Sequence, residues 1–204
     1  MIVVVDYGMG NLRSVSKALE ALGASVRVSS DPVDLARADK LILPGVGAFP
    51  AAMRELNARG LVEPIRSSIK TGKPYLGICL GLQLLFEESE EGAGATGLGI
   101  LPGRVRKFAL DGRATLKIPH MGWNQVFSTQ SRCPLLEGIP DGSFFYFVHS
   151  YYGDPSDRSA VALEADYGGR FTAMVWRDQL YATQFHPEKS QAVGLTLLKN
   201  FVEL

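Results

Sequence analysis

Ile2-Val-Val-Val5 is entirely β-branched and offers no position at which water could meet a polar side chain. A strand with one wet face alternates polar and apolar residues. A run without alternation must be covered on both faces, as in a parallel sheet between two helical layers. The next residues supply the first layer. Gly8 and Gly10 make a turn, Leu12, Val15, Leu19 and Leu22 recur at helical spacing, and Gly23 stops the helix. Strands then read at residues 25–29 and 40–43, helices at 51–58 and 61–71, a fourth buried strand at 75–78 and a helix at 80–88. Beyond Gly92, strands read at 104–108, 124–127, 144–148, 160–165, 172–177 and 181–185, between Gly, Pro and Asp turns, before a helix over 189–204. The expectation is one α/β domain over 1–204: an open, mostly parallel, twisted sheet with helices on both faces and antiparallel additions in the C-terminal half.

The composition supports a packed core and excludes several functions. Of 204 residues, 46% are hydrophobic and 21% charged, so disorder is not expected. Twenty-one basic residues balance twenty-one acidic ones, which argues against a broad nucleic-acid footprint. The first residues lack the basic region of a signal peptide. The longest nearly apolar stretch, 74–86, contains Gln83 and is shorter than the ~20 residues that span a bilayer. Cys79 and Cys133 are the only cysteines, too few for a disulfide framework and too far apart to suggest a zinc pair. Cys133, before Pro134 in a polar turn, reads as an ordinary free thiol. A cytoplasmic protein is expected.

Cys79 stands where a buried strand becomes a helix, inside Gly77-Ile-Cys79-Leu-Gly81. A nucleophile presented on such an elbow needs small residues two positions away on either side, because the tight turn brings neighbouring backbone close. The helix start behind it favours the thiolate, and the Leu80 N–H is placed to donate to an oxyanion. A thiol nucleophile also needs a base and a group that orients the base. His186-Pro-Glu188 follows a predicted strand. In extended backbone, residues two apart project to the same side, so Glu188 can hold one imidazole nitrogen while the other faces the thiol. The third strand runs into Pro44-Gly-Val46-Gly47, a turn able to aim backbone N–H groups at an oxyanion from beside the elbow. Gly92-Ala-Gly-Ala-Thr-Gly97 fits a dinucleotide-binding pattern by letter only. It follows an acidic helix end and precedes a strand-like run, so it reads as a flexible loop.

Gly-Ile-Cys79-Leu-Gly, Pro-Gly-Val-Gly and His186-Pro-Glu188 together closely resemble the class I (triad) glutamine amidotransferases, over nearly the whole chain. Val-Asp-Tyr-Gly-Met-Gly-Asn-Leu at 5–12, Ile-Pro-His-Met-Gly-Trp-Asn at 118–124, Phe-Val-His-Ser-Tyr at 147–151 and His-Pro-Glu-Lys-Ser at 186–190 resemble its histidine-biosynthesis branch. The resemblance implies a flavodoxin-like fold and glutamine hydrolysis through a Cys79 thioester, with His186 as base and Glu188 as its orienter. It implies an oxyanion hole from Val46, Gly47 and Leu80, and glutamine held by Gly47, Gln83, Ser150 and Tyr151. It also implies a separate (β/α)8 cyclase subunit that receives the ammonia, and no metal or organic cofactor. Asn11, Pro119, His120, Met121, Gly122, Trp123, Asn124 and Lys189 are placed by the resemblance at that contact, with 119–124 read as an aromatic-bearing loop. Val46 between two glycines would let the turn hold its N–H away from the oxyanion until the partner docks. The glutaminase of vitamin B6 synthesis also serves a barrel partner. An intracellular cysteine hydrolase would share the elbow without needing His-Pro-Glu, and a regulatory module could keep the fold without the chemistry.

Overall fold

The computed structural model describes residues 1–92, 94–109, 116–129 and 132–204. Its elements run β1 (Ile2–Val5), α1 (Leu12–Ala21), β2 (Val26–Ser29), α2 (Pro32–Arg37), β3 (Lys40–Gly45), α3 (Phe49–Ala58), α4 (Val62–Lys70), β4 (Tyr75–Cys79) and α5 (Leu80–Gln83). There follow β5 (Phe86–Ser89), β6 (Ala95–Thr96), β7 (Leu101–Lys107), β8 (His120–Gln125), β9 (Phe127–Ser128), β10 (Phe144–His149), β11 (Tyr151–Pro155), β12 (Val161–Asp166), β13 (Arg170–Arg177), β14 (Leu180–Thr183) and α6 (Gln191–Glu203).

An eight-stranded sheet runs in the order β2-β1-β3-β4-β14-β13-β12-β9. Its first five strands are mutually parallel, and β13, β12 and β9 continue it antiparallel. The unbroken apolar runs do what such runs must. Val3 and Val5 face a core shared with Leu35, Leu56 and Ile65 of α2, α3 and α4. Ile2 and Val4 face a second core with Val15 and Leu19 of α1 and Leu197, Leu198 and Phe201 of α6. The sheet is therefore covered on both sides.

Four expectations change. The helix expected over 80–88 lasts one turn and ends at Gln83, after which Phe86–Ser89 forms β5. Leu82, Leu84, Leu85 and Phe86 are all fully buried, so the sequence there carries no period to separate helix from strand. The carbonyls of Leu84 and Leu85 turn instead to the amides of Leu98 and of Ile100 and Leu101. The Gly92–Gly97 segment contributes β6, which pairs antiparallel with β5; residue 93 lies outside the described residues. Residues 120–125 form a strand rather than a loop: β8 pairs with β10 in a two-stranded sheet. Its burial alternates along its length with His120 inward, a period masked in the sequence by Gly122 and by polar residues on the inner face. Only some of the antiparallel strands join the main sheet, since β11, β7, β5 and β6 form a sheet of their own. Two elements were not foreseen: β11, and α2, whose Asp31 cap accepts from the Val33 N–H at 2.8 Å. Among the described residues no helix is long and apolar enough to cross a membrane.

Candidate active site

The parallel strands β3, β4 and β14 lie side by side, with Gly45 level with Cys79 and Thr183 level with Ile78. Their carboxyl ends therefore deliver three segments remote in sequence to one edge: the Pro44–Gly47 turn, Cys79, and the chain leading to His186. This is the edge at which open α/β sheets bind ligands.

Cys79 takes φ +56°, a left-handed conformation that a residue with a side chain adopts at a cost. The glycines around it are required by space. A Cβ on Gly81 would sit 1.9 Å from the Leu43 carbonyl oxygen, and one on Gly77 2.6 Å from the Gly81 carbonyl oxygen. The elbow is thus pressed against β3 as well as turned back on its own strand. The Cys79 thiol donates weakly to the Val148 carbonyl at 3.9 Å and accepts from the Gln184 amide at 3.7 Å. Leu80 opens α5, so its amide has no carbonyl of that helix to bond.

His186 is held by its backbone and by its ring. Its N–H donates to the Tyr146 carbonyl at 2.9 Å, and the Ser190 hydroxyl donates to its carbonyl at 2.6 Å. Its Nδ1 meets the Glu188 carboxylate at 2.8 Å, with both side chains buried. A carboxylate only accepts, so Nδ1 carries the proton and Nε2 is the nitrogen left for chemistry. Burial works against a charged imidazole here. The interactions with Cys79 and Glu188 outweigh it and hold the His186 pKa up at about 10. Nε2 is buried and has no hydrogen-bond partner among the described residues, as in sites whose contacts tighten only around substrate. Asn11 Nδ2 approaches the same Glu188 oxygen at 3.5 Å.

A cleft of about 380 Å³ opens over the thiol, lined by Val46, Gly47, Cys79, Leu80, Gln83, Glu91, Pro119, Val148, His149, Ser150, Tyr151 and His186. Every residue expected in the oxyanion hole or around glutamine lines it. Gln83 is buried, and its amide nitrogen donates to the Tyr151 carbonyl at 2.8 Å and to Gln184 Oε1 at 3.1 Å. Gly47 sits at φ +97°, with Met9 Cε 2.7 Å from where a Cβ would be. Two polar residues that were not anticipated also stand at the site, Glu91 in the lining and Gln184 behind the sulfur. Glu91 is the one carboxylate among the described lining residues, and its Oε2 accepts from the Phe49 N–H at 2.8 Å, across 42 positions. Gln184 touches the sulfur and is fully buried. No local pattern marks Glu91, whereas an amide side chain at the end of the strand before His186 was a usable signal for Gln184. Among the described residues no group of three or more His, Cys, Asp or Glu is placed to hold a metal.

The residues expected at a partner contact divide. Met121 and Trp123 are 66% and 46% exposed on the outer face of β8, and Lys189 is exposed beside Tyr146, its ammonium 5.9 Å from the ring centroid. Gly122 and Asn124 are half-buried between them, and Pro119 reaches the cleft rim. His120 is the correction. At 3% exposure it has no surface to offer another chain, because β8 alternates and turns it inward.

The family model described as "Glutamine amidotransferase class-I" matches residues 3–204. The chain is 58% identical to a Syntrophotalea carbinolica protein and 50% identical to one from Geobacter sulfurreducens, both called "Imidazole glycerol phosphate synthase subunit HisH". These alignments cover all of this chain, and all of the first relative and 98% of the second. A solved structure described as "Crystal structure of glutamine amidotransferase" superposes with a TM-score of 0.76 at 21% identity, covering 100% of this chain and 98% of that one, which is a likeness of fold.

Proposed function

This chain belongs to the class-I glutamine amidotransferase family, and we propose that it acts as the glutamine amidotransferase subunit of imidazole glycerol phosphate synthase, in histidine biosynthesis. The observation that carries the reading is the meeting of Cys79 on its elbow with the His186–Glu188 pair at one edge of the sheet, inside a cleft of amino-acid size. We take residues 1–204 as one amidotransferase domain acting in the cytoplasm.

In this reading the Cys79 proton rests on His186 Nε2, the imidazole being charged, and Sγ attacks the side-chain amide carbon of glutamine. The C–O π pair moves to oxygen, and the Leu80 N–H with the Val46 and Gly47 backbone stabilises the resulting oxyanion. His186 then returns the proton to the departing nitrogen, ammonia leaves, and a glutamyl thioester remains on Cys79. Water attacks the thioester, His186 takes its proton, the Cys79 thiolate is restored, and glutamate departs. Glu188 keeps Nδ1 protonated throughout, so Nε2 is the nitrogen that shuttles. Gln83, Ser150, Tyr151 and Gly47 hold the substrate, and the Glu91 carboxylate offers the matching charge for its α-ammonium. The ammonia passes to a (β/α)8 cyclase subunit in a heterodimer whose contact includes Met121, Trp123, Asn124 and Lys189. That subunit combines it with a phosphoribulosyl imidazole-carboxamide nucleotide to give imidazole glycerol phosphate and an aminoimidazole carboxamide ribonucleotide.

The reading is tested by mixing the chain with a cyclase subunit and its nucleotide and supplying either glutamine or an ammonium salt. Cys79→Ala should abolish synthesis from glutamine and leave synthesis from ammonium intact. Failure of the unaltered chain to support synthesis from glutamine would remove the assignment.

A further inference from the structure

A line of buried polar groups runs back from the cleft wall, beginning at the lining residue His149, and the steps above give it no role. His120 on β8 and His149 on β10 are direct cross-strand partners, 3% and 6% exposed, among the rings of Phe108, Phe147, Tyr167 and Phe171. Every proton along the line can be assigned. His149 Nδ1 lies 2.8 Å from the Tyr151 carbonyl, which only accepts, so Nδ1 carries the hydrogen. A neutral imidazole has one N–H, which leaves His149 Nε2 a bare acceptor. The 2.9 Å contact between that nitrogen and His120 Nδ1 must therefore be donated by His120. His120 Nε2 becomes an acceptor in turn, facing the Asn124 amide nitrogen at 3.4 Å, and that nitrogen also donates to the Asp166 carbonyl at 2.8 Å. Burial lowers both imidazoles, His120 to about 4 and His149 to about 3, which keeps them neutral.

The two ends of the line give it a use. At one end the Tyr151 carbonyl is shared with the Gln83 amide, and Gln83 leads through Gln184 to Cys79. At the other end stands β8, whose outer face carries Met121 and Trp123. We propose that His120 and His149 are positioning residues, a relay of two imidazoles fixed as Nδ1–H tautomers that ties β8 to the wall of the glutamine cleft and sets the pose of the Tyr151 carbonyl and the Gln83 amide. The proposal rests on the glutaminase reading above. Neither imidazole touches the thiol, so the relay governs recognition of glutamine rather than the reactivity of Cys79. It also supplies a physical route by which a load on β8 reaches the substrate.

The test uses the full chain and two electrophiles for Cys79: a glutamine-mimicking chloroketone, which must be recognised, and iodoacetamide, which need not be. His149→Leu removes both the donor to the Tyr151 carbonyl and the acceptor for His120, and should slow the chloroketone about tenfold, while iodoacetamide changes by less than about twofold. His149→Asn, whose amide can place a donor where Nδ1 stood, should recover most of the loss. An unchanged chloroketone rate in His149→Leu would overturn the relay, and so would an equal fall in both rates, which marks a structural role. A wild-type chain that reacts no faster with the chloroketone than with iodoacetamide would instead strike the glutaminase reading. Nitrogen-15 spectra of the unaltered chain decide the relay without any variant. Both imidazoles should remain neutral Nδ1–H tautomers from about pH 8 to about pH 5. An Nε2–H tautomer or a charged ring at His149 would contradict it.

Discussion

The cleft has two walls built on opposite terms. The inner wall, at the ends of β3, β4 and β14, belongs to strands buried along nearly their whole length: all five residues of β4 and all four of β14 are inside. The outer wall, from β8 and β10, alternates between core and surface and belongs to a sheet of only two strands. Chemistry that depends on fixed distances sits on the first wall together with Gly47 and Gln83, while Ser150, Tyr151 and the partner-facing residues follow from the second. A substitution in the inner wall should therefore abolish function or folding, whereas one in the outer wall should tune an otherwise working enzyme.

The largest expected effect lies in the inner wall. Glu188→Gln removes the charge that stabilises the imidazolium and unsettles the tautomer, and kcat for glutamine hydrolysis should fall by about 10³-fold with little change in KM. A loss under about tenfold would deny Glu188 its role. Next, Gly81→Ala would drive a Cβ into the Leu43 carbonyl, and neither the elbow nor β3 can yield cheaply. Denaturant titration should show a loss of about 3 kcal/mol or more, the upper range for overpacking. In the outer wall, Trp123→Ala should weaken binding of the cyclase subunit by about thirtyfold, as truncation of an aromatic hot spot does, and leave the free chain's melting point where it was. A melting point that fell as well would show that Trp123 serves its own fold.

The inner wall also sets a dependence on pH. The folded pKa of His186 is raised to about 10, above the unfolded value near 6.5. The stability it adds is fully present below about pH 6.5 and is lost as pH rises toward about 10. Over that window the melting point should fall steadily as the imidazolium loses its proton, and a melting point that stayed level from about pH 6.5 to about pH 10 would contradict the pairing. Cys79→Ala, which removes one of the groups holding the imidazole charged, should flatten the profile.

The same division decides what the sequence could tell. The inner strands announce themselves because burial on both faces forbids polar residues, and their ends carry glycines whose necessity is steric and local. Cys79, His186 and Pro44–Gly47 could be paired from sequence because each follows such a strand. Of the outer strands, β10 was legible over 144–148, whereas β8 gives no comparable signal. His120 and Asn124 of β8 are polar residues on the inner side, satisfied by partners 29 and 42 positions away. Leu80–Phe86 is apolar almost throughout, so the switch from α5 to β5 is decided by the carbonyl partners that residues 98–101 provide. Glu91 joins the cleft only because it reaches the start of α3.

The central claim is that Cys79, served by His186, hydrolyses glutamine for a partner subunit. Glutamate release should be measured for the purified chain alone and with a cyclase subunit carrying its nucleotide, using the wild type and Cys79→Ala in parallel. The account predicts little release alone, strong release in the complex, and none from the complex made with Cys79→Ala. Glutamate released by the Cys79→Ala complex, or none released by the wild-type complex, would contradict it.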